Sequence, residues 1–273
     1  MHIPPSIESI QNPKVKEMVR LKEKSRVRTQ SGTFVIEGVR ELGLAIAAGY
    51  KILSWYVQPT ICSGEQLEEL SKKMIEQGAP LPPTYISQAV FEKVVQRGST
   101  EGVIAVAKCQ EHSLENLSFK HENPLILVAE APEKPGNIGA LLRTADAANL
   151  DALIIANPKS DLYNPNIIRS SVGGLFTVPV AMGSSTEVLS FLQGLQANVY
   201  AAALQASKPY TEVNFSGPTA LVVGTEATGL EALWLEASNQ NIRIPMRGAI
   251  DSMNVSVAAG ILIFEAIRQR SIL

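Results

Sequence analysis

The chain is 273 residues long, 45% hydrophobic and 18% charged, with a formal net charge of −2. That length accommodates two domains of ordinary size, the composition is that of a globular protein, and no apolar run reaches the length of a bilayer span. A net charge near zero excludes a protein coated in basic residues, although attraction to phosphate needs only a local patch.

Residues 11–28 are expected to form a helix, with Val15, Met18, Val19 and Leu21 as a narrow apolar seam. Charge is uneven here: residues 1–30 carry seven Lys/Arg (among them Lys14, Lys16, Arg26 and Arg28) against three Glu. A strand–helix rhythm follows: strand 33–36, helix 40–48, strand 52–57, helix 65–76, short strand 84–86, helix 89–95 and strand 103–107. Strands alternating with helices of this length make an α/β/α sandwich. Residues 109–123 are polar and aperiodic and are expected to link two domains, 1–108 and 124–273.

A second α/β series opens at the apolar run Leu125-Ile-Leu-Val128, suited to a central parallel strand. It continues with helix 138–148, strand 152–156, a helix near 167–171, strand 178–180, helix 187–195 and strand 199–203. Strand 220–223, helix 230–236, strand 242–244 and a long helix from Asn254 complete a sheet of about six strands. Ser252 and Asn254 stand where a helix N-cap belongs, so the first turn of that last helix presents exposed amides and small polar groups.

Cys62 and Cys109 form no C-x-x-C, which fits reduced thiols rather than a disulfide framework or a zinc site. The N-terminus lacks the basic-then-apolar order of a signal peptide, so a cytoplasmic location is expected. The histidines are His2, His112 and His121, all before residue 124. Chemistry in the second domain is therefore expected to use neither a histidine base nor a histidine metal ligand, and no metal is expected.

Three segments of the second domain could carry chemistry. Glu130-Ala-Pro-Glu-Lys-Pro-Gly-Asn-Ile-Gly-Ala-Leu-Leu-Arg143 runs from a strand end into a helix, the place where open α/β sheets bind ligands. Asn137 is a candidate cap, and Arg143 lies six residues on, off its helical face. The glycine spacing is not G-x-G-x-x-G and no acidic residue closes the second strand, which argues against a dinucleotide dehydrogenase. In Leu221-Val-Val-Gly-Thr-Glu-Ala-Thr-Gly-Leu230, Gly224 would let a ligand approach the backbone and Glu226 would bond it or orient a neighbour. Ile244-Pro-Met-Arg-Gly248 again sets Pro and Gly just after a strand. A small-molecule α/β enzyme would need another catalytic set, and there is no G-x-S-x-G, P-loop or cluster of metal ligands.

In order and spacing these segments resemble the three motifs of the SpoU (TrmH-like) branch of the SPOUT RNA methyltransferases: N-x-G-A-x-x-R-T-A, G-x-E-x-x-G-L and I-P-M-x-G-x-x-x-S-M-N-V-S-V-A-A. The resemblance covers residues 124–273, including Arg169-Ser-Ser-Val-Gly-Gly-Leu-Phe-Thr-Val-Pro-Val180. The front half, with I-x-S-x-Q-N-P-x-V-K and F-V-I-E-G-x-R, is similar to the substrate-binding domain of the ribosomal-RNA members.

The resemblance implies transfer of a methyl group from S-adenosylmethionine to a ribose 2′-hydroxyl, by a C-terminal sheet threaded into a trefoil knot that also forms a homodimer interface. It implies catalytic roles for Asn137, Arg143, Glu226, Ser252 and Asn254, and a cofactor site around Leu204, Gly224, Ile244, Met246 and Met253. Arg169, Lys14, Lys16, Arg26 and Arg40 become RNA-binding candidates, with Phe34 and Arg97 as further contacts. The 2′-hydroxyl must lose its proton as it attacks, and Arg143 is the family's candidate base. A guanidinium gives up its proton only at high cost, so orienting the ribose phosphate and stabilising the developing alkoxide is the other role open to Arg143. Ribosomal RNA is the favoured substrate; a tRNA 2′-O-methyltransferase and a non-catalytic RNA-binding assembly factor are the alternatives.

Overall fold

A computed structural model of the chain describes residues 6–78, 81–95, 101–119, 121–205, 207–225, 228–249 and 252–271. It divides into two compact units, one of Met1–Glu111 with Asp161–Ile168, the other of His112–Ser160 with Arg169–Leu273. The first contains α1 (Pro13–Glu23), α2 (Ser25–Ser31), β1 (Thr33–Glu37), α3 (Val39–Ala47), β2 (Ile52–Val57), α4 (Gly64–Glu76), β3 (Thr84–Tyr85), α5 (Gln88–Val94) and β4 (Val103–Lys108). Its strands lie in the order β1-β4-β2-β3, with β4 antiparallel to both neighbours. Alternation sorts the side chains by face: Val35, Tyr56, Ile104 and Val106 pack with Val15, Met18 and Leu21 of α1 and Phe91 and Val94 of α5.

The single helix expected over 11–28 is broken at Lys24, whose backbone is extended. Arg28 accounts for the break. It is 3% exposed, donates to the carbonyls of Leu21 and Lys22 at the end of α1, and pairs with Asp161. Its guanidinium thus satisfies orphan carbonyls at a helix C-terminus. Lys22 likewise pairs with Glu37. Two of the seven N-terminal cations are therefore engaged within the unit. Phe34, expected as an RNA contact, is fully buried, with its ring 4.2 Å from that of Tyr163, so it is core.

The second unit contains β5 (Leu125–Glu130), α6 (Pro135–Ala147), β6 (Ala152–Ala156), α7 (Pro165–Ser171, which starts within the first unit), α8 (Gly174–Thr177), β7 (Val180–Gly183) and α9 (Ser185–Gly194). β8 (Asn198–Ala202), β9 (Ser207–Pro209), β10 (Thr219–Val223), α10 (Ala232–Ala237), β11 (Gln240–Arg243) and α11 (Val255–Arg270) complete it. The sheet is all parallel, ordered β7-β6-β5-β10-β8-β11-β9. It has seven strands rather than about six, because Ser207-Lys-Pro209 forms an edge strand that shows no apolar alternation. An edge is where a strand proline is tolerated. The strand expected at 178–180 begins at Val180, since Pro179 has no N–H to give the ladder.

One face of this sheet (Ile126, Val128, Ile154, Val199, Ala220, Val222) packs on α9 and Trp234 of α10, and α11 lies against β10 and α6. Each fully buried Leu, Ile or Val here contributes about 1.5–3 kcal/mol relative to exposure. Leu114, Leu117 and Phe119, from the stretch expected as a linker, pack against the same core, and the His112 carbonyl accepts from Met182 N at 2.7 Å.

Candidate active site

All seven strands of the second unit run in one direction, so their C-terminal ends define a single edge, with the turns after β5, β8, β10 and β11 beside one another. Open parallel sheets bind ligands at this edge. A cavity of about 500 Å³ lies there. Leu204, Ile244, Met246, Ser252 and Met253 line it, together with Thr225 and Thr228. A second cavity of about 80 Å³ is lined by Asn137, Gly224, Glu130, Val255 and, again, Thr225.

The first and third segments meet directly: Asn254 Nδ2 donates to Asn137 Oδ1 at 3.1 Å. Asn254 is also the N-cap of α11, its Oδ1 accepting from Ser256 N at 3.0 Å, so one amide closes the helix and reaches the neighbouring loop. Asn137 lies inside the first turn of α6 instead of capping it; the cap position is Lys134. Gly224 lines the smaller cavity and is also required by the turn itself. A Cβ there would lie 2.3 Å from the Gly229 carbonyl, and the turn is pinned by Thr225 N to Gly229 O at 3.0 Å and Gly229 N to Thr225 O at 3.1 Å.

Arg143 is exposed on α6 and lines neither cavity, and Arg169 is likewise exposed. Glu226 and Arg97 lie outside the described residues. Lys14, Lys16, Arg26 and Arg40 are all exposed on the first unit. Two histidines belong to the second unit, although both stand at the other end of the strands: His112 Nδ1 contacts the carbonyl of Val180 at the start of β7, and His121 Nδ1 lies 2.7 Å from Asp151 Oδ1, just before β6.

Sequence reasoning passed over the polar cluster beneath the turns. Glu130 ends the wholly buried β5 at 1% exposure, hydrogen-bonded to Ser185, Asn157 and Trp234. Burial pushes its carboxyl above the usual range, and the hydrogen bonds from Ser185 and Asn157 oppose that shift. A lone carboxylate closing an otherwise apolar strand was the available signal.

Comparison with known proteins agrees with this geometry. The model of the SpoU rRNA Methylase family matches residues 124–264, and that of the MRM3-like substrate binding domain matches residues 12–105. The chain is 31% identical over 258 residues, 94% of its own length and 97% of the relative's, to the 23S rRNA (guanosine(2553)-2′-O)-methyltransferase RlmP of Bacillus subtilis (strain 168). A crystal structure of an RNA 2′-O ribose methyltransferase superimposes with a TM-score of 0.81 at 39% identity, covering 97% of this chain and 99% of that one. An AdoMet-bound rRNA methyltransferase from Sinorhizobium meliloti superimposes with a TM-score of 0.86 at 25% identity, covering 96% and 97%.

Proposed function

The chain belongs to the SpoU rRNA methylase family, and from that membership we infer an S-adenosylmethionine-dependent enzyme that methylates a ribose 2′-hydroxyl of ribosomal RNA. The observation that carries this reading is the meeting of the turns after β8, β10 and β11 at the larger cavity, with Asn137, which lines the smaller one, hydrogen-bonded to Asn254.

The cavity fits the cofactor. Its volume of about 500 Å³ falls within the range of small-molecule sites, about 300–1,000 Å³. Leu204, Ile244, Met246 and Met253 offer apolar wall, while Thr225, Thr228 and Ser252 offer hydroxyls. The bound cofactor supplies an activated methyl group on a sulfonium. The chain's contribution is to position the ribose, since in-line displacement depends on alignment of the reacting atoms. Asn137, in the wall of the smaller cavity, is fixed by Asn254 and is assigned to hold the hydroxyl, and Ser252 and Glu226 are assigned to the same task. Arg143 stands on the exposed side of α6, where it would meet an RNA phosphate. That location suits electrostatic stabilisation better than service as a base inside a closed pocket.

The first unit is assigned to RNA capture in the cytoplasm. Lys14, Lys16, Arg26 and Arg40 are its exposed cations, Arg169 is a phosphate contact from the second unit, and RNA shape is read largely through phosphates and 2′-hydroxyls. A trefoil knot around the cofactor is the family expectation for a parallel sheet whose sequence-distant strands lie side by side, as β5 and β10 do. A homodimer is supported by α11, on which Val257 and Phe264 are 53% and 50% exposed and flank Ile261 on one helical face. The reading is tested by methyl transfer from labelled S-adenosylmethionine to total rRNA and total tRNA, with ribose-methylation mapping. Label at one 2′-oxygen of rRNA is expected. Label on a base would overturn the reaction, and label on tRNA the substrate; cofactor binding with no transfer to assembled or naked rRNA would favour an assembly factor.

A further inference from the structure

Glu130 has no catalytic role in the reading above, yet among the described residues it is the most heavily bonded buried carboxylate beside the site. A buried ion is tolerated only when donors replace its water. Its Oε1 accepts from Asn157 Nδ2 at 3.0 Å, and its Oε2 accepts from Ser185 Oγ at 2.7 Å and from the indole N–H of Trp234. These donors come from three places: Asn157 follows β6, Ser185 opens α9, and Trp234 lies in α10. They also bond one another, Ser185 N donating to Asn157 Oδ1 at 3.2 Å and Asn157 Nδ2 to Ser185 Oγ at 2.8 Å.

Two features connect this cluster to the cavities. Trp234 stands in the helix that directly follows the turn beginning at Gly224, so gripping the indole restrains that turn from below. On the other side, Glu130 begins the loop that leads to Asn137, and it lines the smaller cavity together with Asn137 and Gly224. The next residue, Ala131, has φ +43°, a conformation that non-glycine residues avoid, and its N–H is held by the Ala156 carbonyl at 2.8 Å. Such strain persists only where the surroundings over-determine the backbone.

We propose that Glu130 is a positioning residue for methyl transfer: by holding Trp234, Ser185 and Asn157 at once, it sets the spacing between the turn at Gly224 and the loop bearing Asn137, and so shapes the smaller cavity and, through Thr225, which lines both, the wall of the cofactor cavity. The proposal rests on the methyltransferase reading. It requires a carboxylate, because three donors converge on two acceptor oxygens. An amide has one acceptor oxygen and would set its NH2 against a donor.

The test uses the full chain and the variants E130Q and W234F. For each, thermal unfolding is recorded, and S-adenosylmethionine Kd, kcat and KM for an rRNA substrate are measured well below the lowest midpoint. E130Q is expected to weaken cofactor binding about tenfold and W234F several-fold, while KM for RNA stays within twofold. The double variant should bind the cofactor no worse than E130Q, because the two changes break one network. An unchanged cofactor Kd in folded E130Q and W234F, with only the midpoint lowered, would reduce Glu130 to a core group and overturn the proposal. Should E130Q fail to fold, W234F decides on the same criterion. A folded wild type that binds no S-adenosylmethionine would instead overturn the methyltransferase reading and this proposal with it.

Discussion

Gly224 is the residue on which the candidate cavity depends most locally. Its α-hydrogen faces the Gly229 carbonyl at a distance no Cβ could share. Gly224→Ala should therefore force apart the paired Thr225 and Gly229, costing about 1–3 kcal/mol of stability as overpacking does, and weaken S-adenosylmethionine binding at least tenfold. Calorimetric titration of the folded variant checks this; an unchanged affinity would detach that turn from the cofactor. Glu265 allows a test with a definite pH sign. Hydrogen bonds from Arg268, then Gln269, hold its carboxyl down to about 2. A depressed folded value means that the contribution is present above the ordinary carboxylate range and is lost as pH falls through it. The unfolding midpoint of Glu265→Gln should lie below that of the wild type at pH 7, and the gap should close between pH 4.5 and 2. The motif residues were legible one at a time from the sequence. What Gly224 makes room for was not, because that space is filled by chain five residues away.

The α1–α2 pair shows how an element can be right in kind and wrong in extent. The apolar seam Val15, Met18 and Leu21 is buried as its spacing required, but periodicity does not register a helix ended by a side chain that turns inward. Arg28→Ala should leave Asp161 short of its partner and the Leu21 and Lys22 carbonyls unbonded, a loss of about 3 kcal/mol. A lowered unfolding midpoint, with the cofactor Kd unchanged, is the expected measurement. Exposed cations of the same helices should behave in the opposite way. Lys14→Ala, Lys16→Ala and Arg26→Ala combined should spare stability, since surface substitutions rarely cost more than about 0.5 kcal/mol. The slope of RNA affinity against salt should fall by about one for each phosphate that these side chains no longer neutralise. An unchanged slope would move the RNA surface elsewhere. A count of seven basic residues could not separate these two classes; only burial and partners do.

At the scale of the whole molecule, association between copies is where the surface speaks most directly. An α11 face bearing Val257, Ile261 and Phe264 is more apolar than solvent exposure warrants. Phe264→Glu should convert a dimer to a monomer by light scattering and lower kcat with it, whereas a monomeric wild type would remove the dimer from the account. The sequence by itself determined the α/β alternation, the position of nearly every strand within a residue or two, and the family, because periodicity, caps and motif spacing are local properties of the chain. The tertiary structure alone decided the seventh strand at Ser207–Pro209, the burial of Phe34 and Arg28, the inclusion of Asp161–Ile168 in the first unit, and the carboxylate network under the turns. Each of these joins residues far apart in sequence, and the energy that places them is desolvation and hydrogen bonding to partners that no local pattern encodes.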